Sequence, residues 1–320
     1  MNKTIKKILK PILGKPYSWL MKDKECWRKF LSTVAPVYAT KRLYKKTLGM
    51  KLDLKNPKSL NEKEQYLKLN TYYKNPLVTE CCDKYLVRNY IKKAGCEEIL
   101  NELLGVWSSP DEIDFDALPN QFVLKCNHGC GYNIICRDKS KLNVDETKKK
   151  LAAWLKQDYW KLYAETQYKF INKKIIAEKF IKTQDNTVPE DYKFFCVNGV
   201  PECVMLCTER ATGKPKYFYF DRQLQYHPEF FYLKPTEEEM QLDDAIKSKI
   251  PQNIDVMFDY AEKLAKPFPF VRVDFYEINE KIIFSELTFL VYGGIFFTRY
   301  ANLPSDIKFT SIPKEYICKD

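Results

Sequence analysis

Residues 270–288, FVRVDFYEINEKIIFSELT, constrain the fold most strongly. Two runs of alternating residues flank a short turn, which is the pattern of a β-hairpin. Because residues two apart in a strand point to the same face, Arg272 and Asp274 share one face of the first run. Glu286 and Thr288 do the same on the second run. Pairing of the two runs would bring two carboxylates, a guanidinium and a hydroxyl onto one surface, with apolar residues behind it.

Converging oxygen atoms are what a magnesium or manganese ion requires, and an arginine beside them suits a phosphate group. The other interpretation is a hairpin whose polar face points to solvent and carries one salt bridge of little energetic value. The hairpin alone does not distinguish the two interpretations, so the rest of the chain has to decide between them.

A second informative stretch spans residues 121–137. Its pattern predicts a buried strand that ends in Lys125, a loop with Gly129 and Gly131, and another strand. Such a loop can present backbone N–H groups to phosphates, with Lys125 supplying positive charge. It is not a Walker loop, because that spacing is missing and a strand follows instead of a helix. The alternative is an ordinary glycine hairpin in which His128 forms a hydrogen bond within the turn.

A third stretch, residues 173–182, predicts another strand with the sequence KKIIAEKFIK. Glu178 and Lys179 interrupt its apolar run, and ionisable side chains at the end of a buried strand often mark a functional site. The alternative is the edge of a sheet. A polar loop then leads to Asp191 and Lys193, at the start of the next predicted strand.

The order of these segments predicts an α+β fold with two sheets, not a regular βαβ alternation. We expect a basic amphipathic segment at 1–47, a mainly helical domain at 48–118, a first mixed lobe at 119–184 and a second at 185–320. The clearest helical stripe, residues 143–165, lies in the first mixed lobe. The basic segment is predicted either to dock on the body of the protein or on a partner, or to lie on an anionic membrane surface.

The composition narrows the classes of protein. A net charge of +11 over 320 residues favours anionic partners, such as nucleotides, acidic glycans, nucleic acids or membrane surfaces. No apolar run reaches the roughly 18 residues of a transmembrane helix. No nucleic-acid-binding module is recognisable, so no nucleic-acid partner is expected. The 11 cysteines lack the spacing of disulfide frameworks and zinc sites, which predicts buried thiols in a reducing compartment.

Taken together, these segments resemble the ATP-grasp superfamily, and within it the TupA-like (teichuronopeptide-type) group of bacterial surface-polysaccharide clusters. The resemblance implies two α+β lobes with antiparallel sheets that clasp a nucleotide, preceded by a mainly helical region. The small lobe would hold the phosphate loop and adenine hinge, and the large lobe the metal-binding hairpin. The pieces that carry the resemblance are residues 56–69, 75–91, 122–135, 174–181, 191–199 and 268–289.

The resemblance also implies roles for individual residues. Lys125 would contact the α- and β-phosphates of ATP, residues 178–181 would form the adenine hinge, Glu190 or Asp191 would reach the ribose, and Lys193 would add charge near the nucleotide. The implied ATP-binding set is Lys125, His128, Gly129, Gly131, Glu178, Lys179, Phe180, Ile181, Asp191 and Lys193.

The same resemblance assigns the metal and the catalytic groups. Asp274, Glu286 and Thr288 would hold Mg2+ or Mn2+, with Thr288 at a position where the superfamily usually carries asparagine. Arg272, together with Lys125, would be catalytic, because Arg272 would stabilise the transferred phosphoryl group and the acyl-phosphate that follows.

The implied function is an ATP- and Mg2+-dependent carboxylate–amine ligase that acts through an acyl-phosphate in surface-polysaccharide biosynthesis of the capsule, teichuronopeptide or LPS type. Its partners would be ATP, a carboxylate-bearing acceptor (uronic acid, amino acid or glycan) and an amine. We expect a cytoplasmic location, with peripheral attachment to the inner membrane face through the basic N-terminus. The alternatives are a glycosyltransferase that uses a nucleotide-sugar through a metal at Asp274, and a degenerate nucleotide-binding protein.

Overall fold

The computed structural model describes residues 24–183, 188–230, 237, 240–295 and 307. The amphipathic pattern predicted in residues 1–13 lies outside these ranges. None of the described helices is long and apolar enough to cross a membrane. The helices are α1 Lys24–Val34, α2 Pro36–Leu48, α3 Leu60–Leu69, α4 Pro76–Cys82, α5 Val87–Lys93, α6 Val144–Leu155, α7 Asp244–Lys247 and α8 Ile254–Ala265.

The strands form two antiparallel sheets, which confirms the predicted α+β class. The first sheet has the order β1-β4-β2-β3, and the second has the order β7-β6-β5-β8-β9. Each sheet has its own apolar core. The strands are β1 Leu103–Trp107, β2 Phe122–Cys126, β3 Asn133–Cys136, β4 Ile175–Lys179, β5 Asp191–Val197, β6 Val200–Thr208, β7 Lys216–Phe220, β8 Phe270–Ile278 and β9 Lys281–Thr288.

Strand β1 belongs to the first sheet, although the domain boundary predicted at residues 118/119 lies after it. It pairs with β4, with Trp107 opposite Ile175 and Val106 opposite Ile176. Strand β4 then pairs with β2, so that β4 lies at the centre of the sheet between two partners. The first lobe of the structure therefore includes residues from the region predicted to be mainly helical.

Helix α6 covers the first sheet and is shorter than the stripe over residues 143–165 predicts. The Asn143 side chain caps it by accepting a hydrogen bond from the N–H of Glu146. The helix ends at Leu155, and short 3-10 turns follow. In these turns Ala164 adopts a φ of 54°, a left-handed conformation that is incompatible with a right-handed α-helix. The helical spacing of apolar residues in the sequence continues past the end of the helix, because these turns also bury residues such as Trp160.

A bulge in β9 allows the hairpin of β8 and β9 to have an apolar face in the core and a polar face on the other side. Phe275 pairs with Phe284, but Asp274 pairs with Glu286, so Ser285 is the additional residue. Without it, strict alternation would place Phe284 and Glu286 on the same face. The bulge lets Phe284 pack in the core while Glu286 shares the polar face of Asp274.

The helical region α3–α5 packs on the second sheet and shares its core. Tyr72, just after α3, is completely buried against Phe289, with ring centroids 5.3 Å apart. Its hydroxyl donates a hydrogen bond to the carbonyl oxygen of Phe270 at 2.5 Å and accepts one from the N–H of Phe270 at 3.2 Å. This contact fixes the start of β8, the strand that carries Arg272 and Asp274.

We expect Tyr72→Phe to lower the free energy of unfolding by about 1–3 kcal/mol, because two buried backbone groups lose a partner. Urea unfolding measures this loss. Tyr73→Phe is the matched control, because the neighbouring Tyr73 side chain is 38% exposed. Equal stability of the two variants would show that the buried hydroxyl does not anchor β8.

Candidate functional site

A cavity of about 770 Å³ lies between the glycine loop of the first lobe and the polar face of the second sheet. The second sheet contributes Asp191 and Lys193 from β5, Arg272 from β8, and Glu286 and Thr288 from β9. The predicted hairpin residues therefore do converge, and their polar face lines a cleft. This arrangement favours the interpretation of the hairpin as a site over that of a solvent-exposed salt bridge.

Asp274 lies behind the residues that line this cleft and is completely buried. It accepts two hydrogen bonds from Arg272, from Nε at 2.7 Å and from Nη2 at 2.6 Å, and one from Lys193 Nζ at 2.6 Å. Lys193 also contacts Asp191 Oδ2 at 2.5 Å. Arg272 Nη2 donates to Thr288 Oγ1 at 3.1 Å and lies 3.6 Å from Glu286 Oε1. These paired charges connect β5, β8 and β9 across the sheet.

The network sets the charge states of its members. Burial alone would raise the pKa of Asp274, but the Arg272 and Lys193 charges outweigh it and hold that pKa below its ordinary value. Burial raises the pKa of Asp191 in spite of Lys193. For Lys193, burial would lower the pKa, but Asp274 and Asp191 raise it above the ordinary value. The site therefore contains an ionised Asp274 between two permanent cations.

Lys125 and Glu178 form a second ion pair, on the first sheet. Lys125 Nζ lies 2.6 Å from Glu178 Oε2, and Arg88 lies 3.8 Å from the other carboxylate oxygen. Burial would lower the pKa of Lys125, but the Glu178 charge raises it. The pair borders a gap of only about 10 Å³ that also touches Ser285, the bulge residue of β9. Lys84 lines both this gap and the large cavity, so the two spaces adjoin.

The glycine loop is tied to the kink between α4 and α5. Buried Asn127 donates to Asp83 Oδ2 at 2.9 Å, and its own side-chain oxygen accepts from the N–H of Lys174 at 2.7 Å. The ammonium group of Lys84 donates to the carbonyl oxygen of Gly129. These contacts hold the loop against the helical region at the mouth of the cavity.

Gly129 packs directly against an aromatic ring, and we expect Gly129→Ala to destabilise the loop. An added Cβ would lie 2.7 Å from Tyr159 Cγ, and such overpacking costs about 1–3 kcal/mol. A double-mutant cycle with Tyr159→Leu in urea unfolding measures the clash. Strictly additive effects of the two substitutions would contradict it.

Several predicted nucleotide residues lie away from the large cavity. His128 is buried, with Nε2 3.2 Å from the carbonyl oxygen of Trp154, and burial together with Lys173 lowers its pKa to about 4. This placement favours the alternative in which His128 supports the turn. Lys179 forms an exposed ion pair with Glu102 at 2.8 Å.

The remaining members of the nucleotide-binding set lie in the first lobe or at its margin. The Arg137 guanidinium lies over the ring of Phe180, 5.1 Å from its centroid. Ile181, which follows the end of β4, is partly exposed. Gly131 has a φ of 76°, a conformation that favours glycine, and a Cβ there would meet nothing within 4 Å. The assignment of these residues to ATP remains a prediction.

Three further charged residues line the large cavity and were not singled out from the sequence: Lys84, Glu165 and Arg210. Arg210 Nη1 lies 3.5 Å from Asp191 Oδ2. Lys84 follows a helix end, Glu165 lies in the turns after α6, and Arg210 begins a short 3-10 turn. Only the distant contacts of the folded chain bring them to the site, so no local signal in the sequence identifies them.

The hairpin offers oxygen donors that fit a magnesium ion held together with phosphates. Asp274 and Glu286 pair across β8 and β9, and Thr288 is two residues further on. Within the described ranges, no three His, Cys, Asp or Glu side chains are grouped to hold a metal on their own. One or two carboxylates plus substrate phosphates are sufficient for magnesium. Glu286 is the more accessible donor, with 38% of its side chain exposed, whereas Asp274 is already paired with Arg272 and Lys193.

Comparison with protein families assigns a chain with this fold and cleft to the ATP-grasp class. The model for "TupA-like ATPgrasp" matches residues 62–303. The chain therefore belongs to the TupA-like ATP-grasp family. No curated protein matches the sequence significantly.

Among solved structures, the chain is similar to a D-alanine–D-alanine ligase from Bacillus anthracis, with 17% identity, a TM-score of 0.36, and coverage of 68% of this chain and 58% of that one. An L-amino acid ligase from Bacillus licheniformis matches with 13% identity, a TM-score of 0.43, and coverage of 73% and 49%. The chain thus spans about half to three fifths of the length of these two ligases.

Proposed function

We propose that this protein is an ATP- and Mg2+-dependent ligase that joins a carboxylate to an amine through an acyl-phosphate. The observation that carries this proposal is the cleft in which Lys193, Arg272, Glu286 and Thr288 face the glycine loop, in a chain of the ATP-grasp family. Two cations next to two oxygen donors suit a phosphoryl group in transfer and the metal that accompanies it.

ATP would enter between the two sheets on the side of Lys125. In the structure, the Lys125–Glu178 pair borders a gap of about 10 Å³, which is far too small for a nucleotide. Binding therefore requires the two lobes to separate along this edge. Lys125 would then exchange the Glu178 carboxylate for the phosphates of ATP, and residues 178–181 would read the adenine through their backbone groups.

The large cavity would hold the reacting groups. Glu286, with Asp274 and Thr288, would hold magnesium, which when bound neutralises charge on the phosphates. Arg272 is fixed by its two hydrogen bonds to Asp274, so its guanidinium is preorganised for the transferred phosphoryl group. Lys193 and Arg210 would add positive charge for the carboxylate that accepts this group.

We further propose that the carboxylate is a uronic acid, an amino acid or a glycan, and that the reaction serves surface-polysaccharide biosynthesis. This finer proposal rests on the family and on the basic charge of +11, which suits acidic substrates. A cytoplasmic site of action, with attachment to the inner membrane face through residues 1–13, belongs to the same proposal. Liposome sedimentation of the full chain and of a chain lacking residues 1–13 tests this attachment.

The test of the reaction is a product assay with ATP, Mg2+, hydroxylamine and a panel of carboxylates: D-glucuronate, D-galacturonate, L-glutamate and D-alanine. Hydroxylamine stands in for the amine and traps an acyl-phosphate as a hydroxamate. The proposal predicts ADP, inorganic phosphate and a hydroxamate with at least one acid. AMP and pyrophosphate, or no turnover by folded protein, would contradict it. Turnover of a nucleotide-sugar instead would support the glycosyltransferase alternative.

A further inference from the structure

Glu165 forms part of the wall of the cavity that the predicted metal-binding hairpin also lines, and no role has yet been given to it. The residue is only 5% exposed. Within the described part of the chain, no hydrogen bond reaches its carboxylate, and the charge of buried Lys68 acts on it and lowers its pKa. A buried carboxylate without a hydrogen bond is costly unless a ligand satisfies it, and this one borders a cavity large enough for a substrate.

The backbone around Glu165 is held in a fixed shape. Its N–H donates to the carbonyl oxygen of Trp160 at 2.9 Å, and its own carbonyl oxygen accepts from the N–H of Tyr168 at 3.1 Å. The preceding residue, buried Ala164, has a φ of 54°, a left-handed conformation that costs an alanine about 1–2 kcal/mol. Such strain is typical of segments that position a functional group.

The charges around Glu165 leave an excess of negative charge. Lys68 lies behind it and donates to the carbonyl oxygen of Tyr163 at 3.2 Å, and Glu64 accepts from the N–H of Val291 at 2.8 Å. Burial raises the pKa of Glu64 and lowers that of Lys68, each to about 8, so at pH 8 their partial charges cancel and Glu165 carries the remaining negative charge. Burial raises the pKa of Glu165 to about 7, so an assay at pH 8 keeps most of the carboxylate ionised.

The other neighbours of Glu165 are aromatic. Tyr159, Tyr163 and Tyr168 line the same cavity, and the rings of Tyr159 and Tyr168 meet edge to face with centroids 5.3 Å apart. Tyrosine faces attract cations, and a carboxylate among aromatic rings is a frequent arrangement for binding an ammonium group. Burial raises the pKa of Tyr168 strongly, and the charges of Glu165 and Glu286 both add to this rise, so both carboxylates lie near Tyr168.

From this arrangement we propose that Glu165 binds the protonated amine of the second substrate and positions it across the cavity from Arg272 and Glu286. The inference rests on the proposed function, since it assigns the amine side of the same reaction. The ammonium group loses one proton to the Glu165 carboxylate, and the free electron pair of nitrogen attacks the acyl carbon. The C–N bond forms, and the C–O bond to phosphate breaks. The electron pair of that bond leaves with inorganic phosphate, which takes the second proton from nitrogen.

A comparison of charged and uncharged nucleophiles tests this proposal. At pH 8 hydroxylamine is uncharged, whereas ethanolamine and the side chain of L-lysine are mostly protonated. For the full chain, we expect Glu165→Gln to lower kcat/KM for the cationic amines by about 10- to 100-fold, the effect of one charged hydrogen bond. Hydroxamate formation should change less than about threefold. Glu146→Gln, at an exposed glutamate in α6, is the matched control and should leave both reactions unchanged.

The outcomes separate this inference from the proposed function. Equal losses with hydroxylamine and the cationic amines, or no loss with either, would overturn the role of Glu165 and leave the ligase reaction standing. The role of Glu165 would also be overturned if the wild type coupled hydroxylamine but no cationic amine. Absence of hydroxamate with every acid would instead count against the proposed function.

A binding measurement on the wild type does not depend on turnover or on the stability of a variant. Choline and its uncharged isostere 3,3-dimethylbutanol have the same shape, and only choline is cationic. We expect choline to bind at least about tenfold more tightly in calorimetric titration, because a carboxylate among tyrosines prefers a cation. Equal affinities, or no binding of choline, would overturn the proposal.

Discussion

Asp274→Asn should destabilise the protein by about 3 kcal/mol, near the lower end of the cost of removing one partner from a buried ion pair. The substitution keeps the shape of the side chain and removes its charge. Two cations that face Asp274 at 2.6–2.7 Å then lose their common counter-ion within the second sheet. The loss of stability stays below the upper end of that cost, because Lys193 keeps Asp191 as a partner and Arg272 keeps Thr288.

Urea unfolding of Asp274→Asn measures this effect, and the chain provides a matched control. Asp259 forms an ion pair with Arg222 at 2.9 Å, but 61% of its side chain is exposed. Exposed pairs contribute about 0.2–1 kcal/mol, so Asp259→Asn should shift the unfolding midpoint very little. If both variants lost the same stability, the buried network around Asp274 would not hold β5, β8 and β9 together.

Lys125→Met should weaken the binding of a non-hydrolysable ATP analogue by about 10- to 100-fold, the value of a charge-assisted hydrogen bond to phosphate. Methionine keeps most of the length of lysine and removes its charge. Glu178 retains Arg88 at 3.8 Å, which limits the damage to the first sheet. Thermal unfolding of the variant establishes that it is folded before the titration.

Calorimetric titration in the presence of Mg2+ measures the Lys125 effect. Lys216→Met is the control, because Lys216 pairs with Glu209 at 2.7 Å, has 58% of its side chain exposed and does not line the cavity. Its affinity for the analogue should equal that of the wild type. Unchanged binding by Lys125→Met would place the nucleotide elsewhere and remove Lys125 from the proposed phosphate site.

Local patterns in the sequence predicted the parts of the site that lie on regular strands. Alternation placed Arg272, Asp274, Glu286 and Thr288 on one face, as the structure has them. The bulge at Ser285 was not predictable, because a run of alternating residues does not show where one residue is inserted. The contact of Phe284 with the core depends on that bulge.

The opposite wall of the cavity could not be predicted from local patterns. Glu165 follows the end of α6 by ten residues, in short turns whose spacing still resembles a helix. Its place in the cavity depends on the left-handed conformation of Ala164 and on buried Lys68, which is far away in the sequence. His128 was assigned to the nucleotide only through the family resemblance, and in the folded loop its ring lies next to the carbonyl oxygen of Trp154.

The most direct test of the central claim is the transfer of ¹⁸O from the carboxylate to phosphate. The carboxylate that gives the largest ADP release is labelled with ¹⁸O on both oxygens and turned over with ATP, Mg2+ and an amine. An acyl-phosphate keeps one carboxylate oxygen in its bridge, and attack by the amine releases that oxygen with phosphate. The account predicts one ¹⁸O atom in each inorganic phosphate, read by mass spectrometry. Phosphate without ¹⁸O, formed at the same rate as ADP, would contradict carboxylate activation by this protein.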